Sequence, residues 1–419
     1  FKYKNNFLSF INEFSIEKAE IGHLIYDEYI RDGKKYIKKN IYNLNFFVFL
    51  FRKIFIFYKI KKILKKENIK ILICNSIDYA THTSIAARIA VTMKIPVLIA
   101  DDQFMIFKNT DSINKPIFVI EKKNVKDFFK KSKKINFKKY LKRRFSGDLN
   151  SEGIANTIGY TYTSKLDVSV ANRNKINLNK KSFILKYCSN EKFKKIVLIA
   201  PHAFTDAVHG LGKRFIFKDY YDQFVETIKF IYNYDKKDVL WLIKPHPRTK
   251  HYREEGQIEE VLNKYKKKNI ILLNKKISTL SAIKISDLVI TGRGSIGLEA
   301  SSLGKKVIIA GYAIYEKLGF TIEPKTKRKY FSEIINEKNY TSLKKSKINE
   351  ARKYLYYCDN YRKYNLPRSQ LEILTSVDFE EKDKIFFQKI LKFMQKKKYL
   401  IDKYYLNLDK ILGSIKITN

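Results

Sequence analysis

The sequence predicts an α/β protein with two doubly wound parallel-sheet domains and a helical C-terminal tail. Short apolar runs, typical of buried parallel strands, alternate with segments whose apolar residues have helical spacing. The 419-residue chain is longer than one hydrophobic core usually accommodates, and 45% of its residues are hydrophobic. With 15 Gly and 7 Pro, the composition argues against long disordered linkers.

The predicted N-terminal domain covers residues 1–190 and contains one clear β-α-β unit at 68–104. In this unit "IKILIC" and "IPVLIA" are the strands, and "SIAARIAVTM" is the helix between them. Ligands of open parallel sheets bind outside the carboxyl ends of the strands. Asp101 and Asp102 follow the second strand, so we expect them to line a cleft, with ordinary turn chemistry as the alternative.

The predicted second domain covers residues 191–335 and has the more regular pattern. Five apolar runs, "KKIVLIAP", "DVLWLI", "NIILLN", "DLVIT" and "KKVIIAG", alternate with helical segments. This alternation predicts a five-stranded parallel sheet with right-handed crossovers. Residues 336–419 are helical in pattern, basic and aromatic, and we expect them to pack back on both domains.

The net charge of +43 has two interpretations. It is compatible with an anionic partner, but Lys, Ile, Asn, Phe and Tyr are all over-used together, as in proteins of AT-rich genomes. The lysines are dispersed and no nucleic-acid-binding motif is present, so we expect no nucleic-acid partner. The three cysteines, Cys74, Cys188 and Cys358, are far apart, which predicts reduced thiols, a cytoplasmic protein and no zinc site.

The Phe-rich stretch at residues 44–66, "LNFFVFLFRKIFIFYKIKKILKK", is interrupted by Arg52 and Lys53. A membrane-spanning helix needs about 20 consecutive apolar residues, so we do not expect this segment to span a bilayer. Two alternatives remain. It is either a buried helix of the first domain or a basic amphipathic helix in peripheral contact with the inner-membrane surface.

Three loops that follow strands of the second domain carry the candidate site. The first, "PHAFTDAVHG", contains His202, Asp206 and His209. An Asp that fixes a His tautomer is suited to acid/base catalysis or to contacts with a donor sugar, and we predict these three residues as catalytic. The same residue types are metal ligands, but a fourth ligand is lacking nearby, and a purely structural role is a further alternative.

The second loop, "KPHPRTK", contains Lys244, His246 and Arg248. Pro245 and Pro247 restrict the backbone around His246, so its imidazole could donate to a phosphate oxygen at low entropic cost. The two cations would add positive charge. The alternative is a turn that merely ends the strand.

The third loop, "TGRGSIGLEA", combines a glycine turn with a predicted helix start. Gly294 permits close approach of a ligand, and Ser295 is a candidate N-cap. The free N–H groups and the dipole of a helix N-terminus favour a phosphate. Glu299, one turn further on, is predicted to accept hydrogen bonds from a donor ribose. An ordinary glycine turn is the alternative.

These motifs resemble those of bacterial capsule and surface-polysaccharide synthesis proteins. "KPHP", followed by "GRGSIGLEASSLGKKVIIAGYAIYEKLGFT", is most similar to the retaining β-Kdo transferases of the capsule pathway. The resemblance implies a GT-B-like fold with two Rossmann-like domains and a donor cleft between them. It implies that His246 and Ser295 contact the donor phosphate, that Glu299 contacts the ribose, and that Tyr312 and Tyr315 line the cleft.

The function implied by this resemblance is that of a glycosyltransferase, and because no DxD-like acidic pair follows a strand except Asp101-Asp102, we expect it to need neither a metal ion nor a cofactor. It would transfer a sugar, Kdo or a related acid, from a nucleotide-sugar donor such as a CMP-linked one to a glycan or glycolipid acceptor. Three alternatives remain open. They are a CDP-polyol phosphotransferase of the teichoic-acid type, a non-catalytic nucleotide-sugar-binding scaffold of polysaccharide export, and a sugar-nucleotide 2-epimerase.

Overall fold

The computed structural model describes most of the chain up to residue 360. The described residues are 3, 7–32, 43–67, 69, 72–74, 80–100, 104–107, 135–146, 179–187, 193–209, 215–234, 236–247, 249, 252–274 and 277–360.

The N-terminal part of the fold combines helices with two small sheets. Its elements are α1 (Phe7–Glu13), β1 (Ser15–Ile16), β2 (Ala19–Glu20), α2 (Gly22–Asp32), α3 (Leu44–Lys66), β3 (Leu72–Cys74), α4 (His82–Thr92), β4 (Val97–Ala100) and β5 (Phe104–Phe107). Side chains cap two of these helices: Asn43 accepts a hydrogen bond from Phe46 N at 2.9 Å, and Thr81 accepts one from Ser84 N. These caps explain where α3 and α4 begin.

The sheet of the N-terminal part follows the predicted β-α-β unit and then departs from it. Strands β3 and β4 pair in parallel across α4, as the sequence predicts, but β5 pairs antiparallel to β4. Only three residues separate Ala100 from Phe104. A parallel crossover needs a dozen residues or more, so this short connection permits only a hairpin.

The second part is the five-stranded parallel sheet that the sequence predicts. Two helices precede it, α5 (Phe137–Ser146) and α6 (Lys180–Tyr187). Its elements are β6 (Lys195–Ala200), α7 (Tyr220–Tyr234), β7 (Val239–Ile243), α8 (Gln257–Lys264), β8 (Ile270–Leu272), α9 (Thr279–Ile285), β9 (Leu288–Thr291), α10 (Ser295–Ser302) and β10 (Lys306–Ile309). The strand order is β10-β9-β6-β7-β8, which is the arrangement of a doubly wound sheet. The predicted α/β class is therefore confirmed.

The central strands of this sheet are buried on both faces. Val197 and Ile199 of β6 point into one core, and Ile196 and Leu198 point into the other. Helices α1 to α4 also contribute side chains to the first core, for example Phe10 of α1. The alternation of side chains along each strand therefore joins the N-terminal part to one face of the second sheet.

The second core is closed by helices from outside the predicted second domain. Tyr140 of α5 and Phe183 of α6 pack into it, although both precede the predicted boundary at residue 190. The chain after β10 continues with α11 (Lys327–Ile335), a 3-10 turn (Glu337–Tyr340) and α12 (Lys345–Asn360). Tyr354 of α12 is buried in the second core and Tyr340 of the 3-10 turn is buried in the first, so the described part of the predicted tail contributes to both cores.

Helix α3 covers the Phe-rich stretch, and one of its faces is buried. That face presents Phe46, Leu50, Phe57 and Leu64 to the first core. Lys53 lies on the same face, where its ammonium donates to Glu28 Oε1 at 2.6 Å and to the carbonyl of Ala80 at 2.9 Å. In the described part of the chain, no helix is long and apolar enough to span a membrane.

Candidate functional site

The candidate site lies at the carboxyl edge of the second sheet, where the strand order reverses. Central strand β6 has β7 and β8 on one side and β9 and β10 on the other. The loops that follow β6 and β9 therefore leave neighbouring strands in divergent directions. A crevice at such a reversal point is the usual ligand site of a doubly wound sheet.

His202, in the loop after β6, brings the three predicted loops together. Its ring centroid lies 5.7 Å from that of His246, in the loop after β7. Its Nδ1 lies 3.5 Å from the position that a Cβ atom on Gly294 would occupy. The three loops therefore converge on one small region around this imidazole.

Asp206 orients the His202 ring from within the same loop. The imidazole Nε2 lies 3.2 Å from Asp206 Oδ2. Burial alone would raise the pKa of Asp206, but the hydrogen bond and charge of His202, the charge of Arg293 and a hydrogen bond from Tyr252 hold it well below its ordinary value. Asp206 is therefore an ionised carboxylate at neutral pH. It can hold one nitrogen of His202 protonated and stabilise the imidazolium.

The glycine loop after β9 leads directly into a helix, but its cap differs from the predicted one. Gly294, in extended geometry, is the N-cap of α10 and provides no side-chain hydrogen bond, whereas Ser295 is the first helical residue. The prediction of Ser295 as N-cap is wrong by one position, because Gly294 already has the non-helical backbone geometry of that position. Ser295 is half-buried beside this helix start.

Tyr315 holds the glycine loop in place from behind. Its hydroxyl donates to the carbonyl of Gly294 at 2.6 Å, and its ring is fully buried. A Cβ atom on Gly297 would lie 2.2 Å from the same hydroxyl, so glycine is needed there for close packing. Tyr315 therefore supports the loop instead of lining a cleft, and Tyr312 is also buried, with 5% of its surface exposed.

Glu299 forms an ion pair with a helix that the sequence did not connect to it. Arg144 of α5 donates to Glu299 Oε1 at 3.0 Å, and the two side chains are only 7% and 13% exposed. This carboxylate joins α10 to α5. The predicted hydrogen bonds that Glu299 would accept from ribose hydroxyls would have to compete with this largely buried ion pair.

Other predicted site residues lie elsewhere or outside the described residues. The ammonium of Lys244 donates to the carbonyl of Ile277 at 2.8 Å and is buried, so it supports the neighbouring loop. Arg248, Asp101 and Asp102 are outside the described residues.

His209, predicted to act with His202 and Asp206, points toward the N-terminal part of the fold. Its ring Nδ1 lies 2.7 Å from Asp27 Oδ1, and its backbone N–H donates to Asp27 Oδ2 at 2.7 Å. Both side chains are almost completely buried. This pair connects helix α2 to the loop after β6, and next to it Tyr26 donates a hydrogen bond to Asp219.

Several residues of the site carry no recognisable signal in the sequence. The ring centroid of Tyr252 lies 6.1 Å from that of His246. The guanidinium carbon of Arg31, in α2, lies 5.5 Å from the centroid of the same Tyr252 ring. Arg293 donates to the carbonyl of Ala207 at 2.6 Å. Tyr252 and Arg31 come from a loop and a helix end without a motif, so only the folded arrangement identifies them, whereas Arg293 belongs to the predicted glycine loop "TGRGSIGLEA".

Glu254 anchors the middle of the loop after β6. It accepts hydrogen bonds from the backbone N–H of Thr205 at 2.8 Å and from the hydroxyl of the same residue at 2.9 Å. Burial raises the pKa of Glu254 to about 7, against the opposing effect of these hydrogen bonds. The carboxyl group is therefore a structural anchor that titrates near neutral pH.

The chemistry of the converging side chains fits an anion. The imidazole of His202, oriented by a carboxylate, lies beside the start of a helix whose dipole is positive at that end, and the imidazole of His246 lies next to that of His202. Among the described residues, no group of three or more His, Cys, Asp or Glu side chains is arranged to hold a metal ion.

Comparisons with known proteins place this geometry in context. Among solved structures, the chain is similar to the β-Kdo 2,4 transferase KpsC of Thermosulfurimonas dismutans, with 14% identity, a TM-score of 0.35, and coverage of 65% of this chain and 85% of that one. It is similar to a UDP-GlcNAc 2-epimerase of Neisseria meningitidis (15% identity, TM-score 0.30, coverage 79% and 87%). It is also similar to a glycosyltransferase of Rickettsia africae (12% identity, TM-score 0.33, coverage 82% and 92%). The search of curated proteins finds no match.

A family profile gives the more specific result. Residues 106–351 match the family described as "Capsule polysaccharide biosynthesis protein". The matched segment includes the three loops that converge at His202, together with helices α5 and α6. Because the match covers more than half of the chain, this protein belongs to the family of capsule polysaccharide biosynthesis proteins.

Proposed function

We propose that the protein is a glycosyltransferase of surface-polysaccharide synthesis that uses a nucleotide-sugar donor, with the donor phosphate at the edge of the second sheet. The observation that supports this most directly is the convergence of His202, His246 and the Gly294 helix start at the point of strand reversal. Membership of the capsule polysaccharide biosynthesis family supports the role in surface-polysaccharide synthesis. The convergence of the three loops supports the binding of a phosphate.

The reaction would place its developing negative charge where these groups converge. The bond between the anomeric carbon and the phosphate oxygen breaks, and the leaving nucleotide takes the electron pair. The imidazoles of His202 and His246, with the N-terminal end of α10, would stabilise this phosphate. An acceptor hydroxyl forms the new glycosidic bond and gives its proton to a base.

The ionised Asp206 supports this assignment of roles. Asp206 Oδ2, at hydrogen-bond distance from His202 Nε2, fixes the orientation of the imidazole, so that its other nitrogen can be directed at a leaving phosphate. The buried hydroxyl of Thr291, 3.2 Å from the Cβ position on Gly294, has no hydrogen-bond partner within the described residues. It is a further group that a bound ligand or water could satisfy.

The proposal can be tested in two steps with the purified protein. Thermal-shift measurements with CMP, CDP, UDP and GDP identify the nucleotide, because a ligand that binds only the folded state raises the Tm. Assays with the corresponding nucleotide-linked sugars and polyols then measure release of free nucleotide and transfer to glycan or glycolipid acceptors. Nucleotide release that requires an acceptor is the result expected of a glycosyltransferase.

Replacement of His246 provides the decisive variant. We expect His246→Ala to lower kcat at least about a hundredfold, as for loss of a group that stabilises a developing anion, with little change in Tm. His82→Ala is the matched control, because His82 is exposed at the start of α4, in the N-terminal part of the fold. Full activity of His246→Ala would contradict the phosphate role.

Other outcomes of the donor screen would replace the proposal with one of its alternatives. Transfer of a polyol phosphate from a CDP-linked donor would identify a phosphotransferase. Interconversion of a nucleotide sugar without an acceptor would identify an epimerase. Tight nucleotide binding with neither reaction, across all donors and acceptors, would identify a binding scaffold.

A further inference from the structure

Helix α3 has a second apolar face that is exposed in the described part of the fold. Leu44, Val48, Phe51, Phe55 and Tyr58 recur every three or four residues and are 78%, 43%, 67%, 70% and 50% exposed. Residues at this spacing share one side of a helix. Large exposed apolar side chains aligned in this way mark an interaction surface, in contrast to singly scattered ones.

The buried face of α3 lies on the opposite side of the helix. Phe46, Leu50, Phe57 and Leu64 anchor it to the first core, and Lys53 ties it to Glu28 and Ala80. The helix is therefore fixed to the protein along its length. What it can offer to a partner is the outer face alone, over a length of about 34 Å for 23 residues.

The charge of α3 identifies the class of partner. The helix contains seven Lys and Arg residues and no Asp or Glu. Four exposed lysines extend or flank the apolar stripe toward the C-terminal end of the helix: Lys59, Lys62, Lys65 and Lys66. Lys66 lies 3.9 Å from Glu67 Oε1, just after the helix, and the helix itself contains no acidic residue. Aromatic side chains beside such lysines fit a surface that is apolar at depth and negatively charged at its rim.

We propose that the outer face of α3 binds the surface of an anionic lipid bilayer, with the helix lying parallel to the membrane plane. The Phe and Tyr side chains would enter the boundary between head groups and acyl chains, while the lysines contact acidic head groups. A second copy of the chain is a poorer occupant, because two α3 helices would bring together basic residues without any acidic residue to pair with them.

This inference goes beyond the proposed function, and its test needs neither donor nor acceptor. The full-length protein is mixed with vesicles of phosphatidylcholine alone or of phosphatidylcholine with an equal part of phosphatidylglycerol, and the bound fraction is measured by flotation. We expect strong binding to the anionic vesicles, at least tenfold weaker binding to the neutral ones, and weaker binding at high salt.

Two pairs of substitutions test the two components of the surface. Phe51→Gln with Phe55→Gln is expected to weaken binding at least tenfold, because these are the most exposed rings of the stripe. Lys59→Gln with Lys62→Gln is expected to weaken it about thirtyfold, since each cation near an anionic surface contributes about fivefold. All four residues are exposed, so we expect the Tm to stay within about 2 °C of the parent value.

A matched pair of lysines controls for net charge. Lys266→Gln with Lys268→Gln removes the same charge from exposed positions between α8 and β8, and it should change binding less than twofold. The proposal is overturned if the parent protein does not bind anionic vesicles, or if all three variants bind equally. It is also overturned if light scattering shows a dimer that only the Phe51 and Phe55 variant dissociates, because a second copy would then cover this face.

Discussion

Two histidines of one loop, each paired with an aspartate, occupy different environments in this protein. His202 and Asp206 lie at the edge of the second sheet with side chains 15% and 33% exposed, whereas His209 and Asp27 are 3% and 0% exposed. The residue types are the same, and the loop is the same. The difference lies in the partner, which is local for His202 and comes from helix α2 for His209.

This comparison distinguishes a pair that is available to a ligand from a pair that stabilises the fold. A partly exposed pair can exchange a proton with a ligand, and it contributes less to stability than a fully buried pair does. A buried pair cannot reach a ligand, and its removal leaves polar groups unsatisfied. The loop after β6 therefore performs two tasks, presenting His202 to the site and fastening the N-terminal part of the fold through His209.

The largest expected effect is on stability, from the buried pair. Asp27→Ala leaves both the backbone N–H and the ring of His209 without their acceptor, so we expect the free energy of unfolding to fall by about 3–5 kcal/mol. Denaturant titration of the purified variant measures this change. If the alanine variant does not fold, Asp27→Asn retains one acceptor and should show a smaller loss.

The matched substitution at the His202–Asp206 pair should affect stability less and turnover more. Asp206→Ala is expected to cost less stability than Asp27→Ala, about 1–2 kcal/mol, because the carboxylate is partly exposed but loses its contacts with His202, Arg293 and Tyr252. It should nevertheless lower turnover, since His202 loses the group that orients it. Equal losses of stability for the two alanine variants would show that the distinction between the pairs is wrong.

Glu254 sets a pH dependence at the centre of the same loop. Its pKa is raised to about 7 from an ordinary value of 4.5, so the folded protein binds this proton more tightly than the unfolded chain. Stability from this group is therefore present below about pH 4.5 and is lost as the pH rises to about 7, by at most about 3 kcal/mol.

Glu254→Gln should remove this loss, because the amide keeps an oxygen for Thr205 and cannot ionise. Denaturant titrations at pH 5 and pH 8 compare the variant with the parent protein. Glu255→Gln, at the exposed neighbouring position, is the control and should retain the parent's pH dependence. An unchanged pH profile in Glu254→Gln would mean that this carboxyl group does not titrate in the folded protein.

The sequence predicts the second sheet well because its strands are locally encoded. Each of the five apolar runs is bounded by polar or glycine residues, and parallel order follows from the helices between them. The meeting of the three loops at His202 follows from the same topology, since the carboxyl ends of parallel strands share an edge. The sequence does not predict the antiparallel β5, because only three residues separate it from β4 and the β-α-β pattern ends at the same place.

The roles of single side chains were less predictable, because their partners are distant in the sequence. Arg144 pairs with Glu299 across 155 positions, and Asp27 pairs with His209 across 182. Neither pairing leaves a periodic or spaced pattern in the chain. A residue type at a plausible position therefore predicts that a group is available, while burial and partner choice decide whether it faces a ligand.

The last expected effect concerns Tyr315, which is buried in the second core and supports the glycine loop. Tyr315→Phe removes the hydrogen bond to the carbonyl of Gly294 and keeps the ring that packs against Gly297, so it should cost only about 1 kcal/mol. Because that carbonyl belongs to the N-cap of α10, the loop should become less well positioned toward His202. We expect nucleotide affinity to fall severalfold in titration calorimetry.

Tyr354→Phe, which loses a comparable hydrogen bond to Ile314 in the same core, is the control and should leave affinity unchanged. If both variants bind nucleotide as tightly as the parent protein does, the hydrogen bond from Tyr315 does not influence nucleotide affinity. The His202–Asp206 pair would then position the phosphate without help from this hydrogen bond.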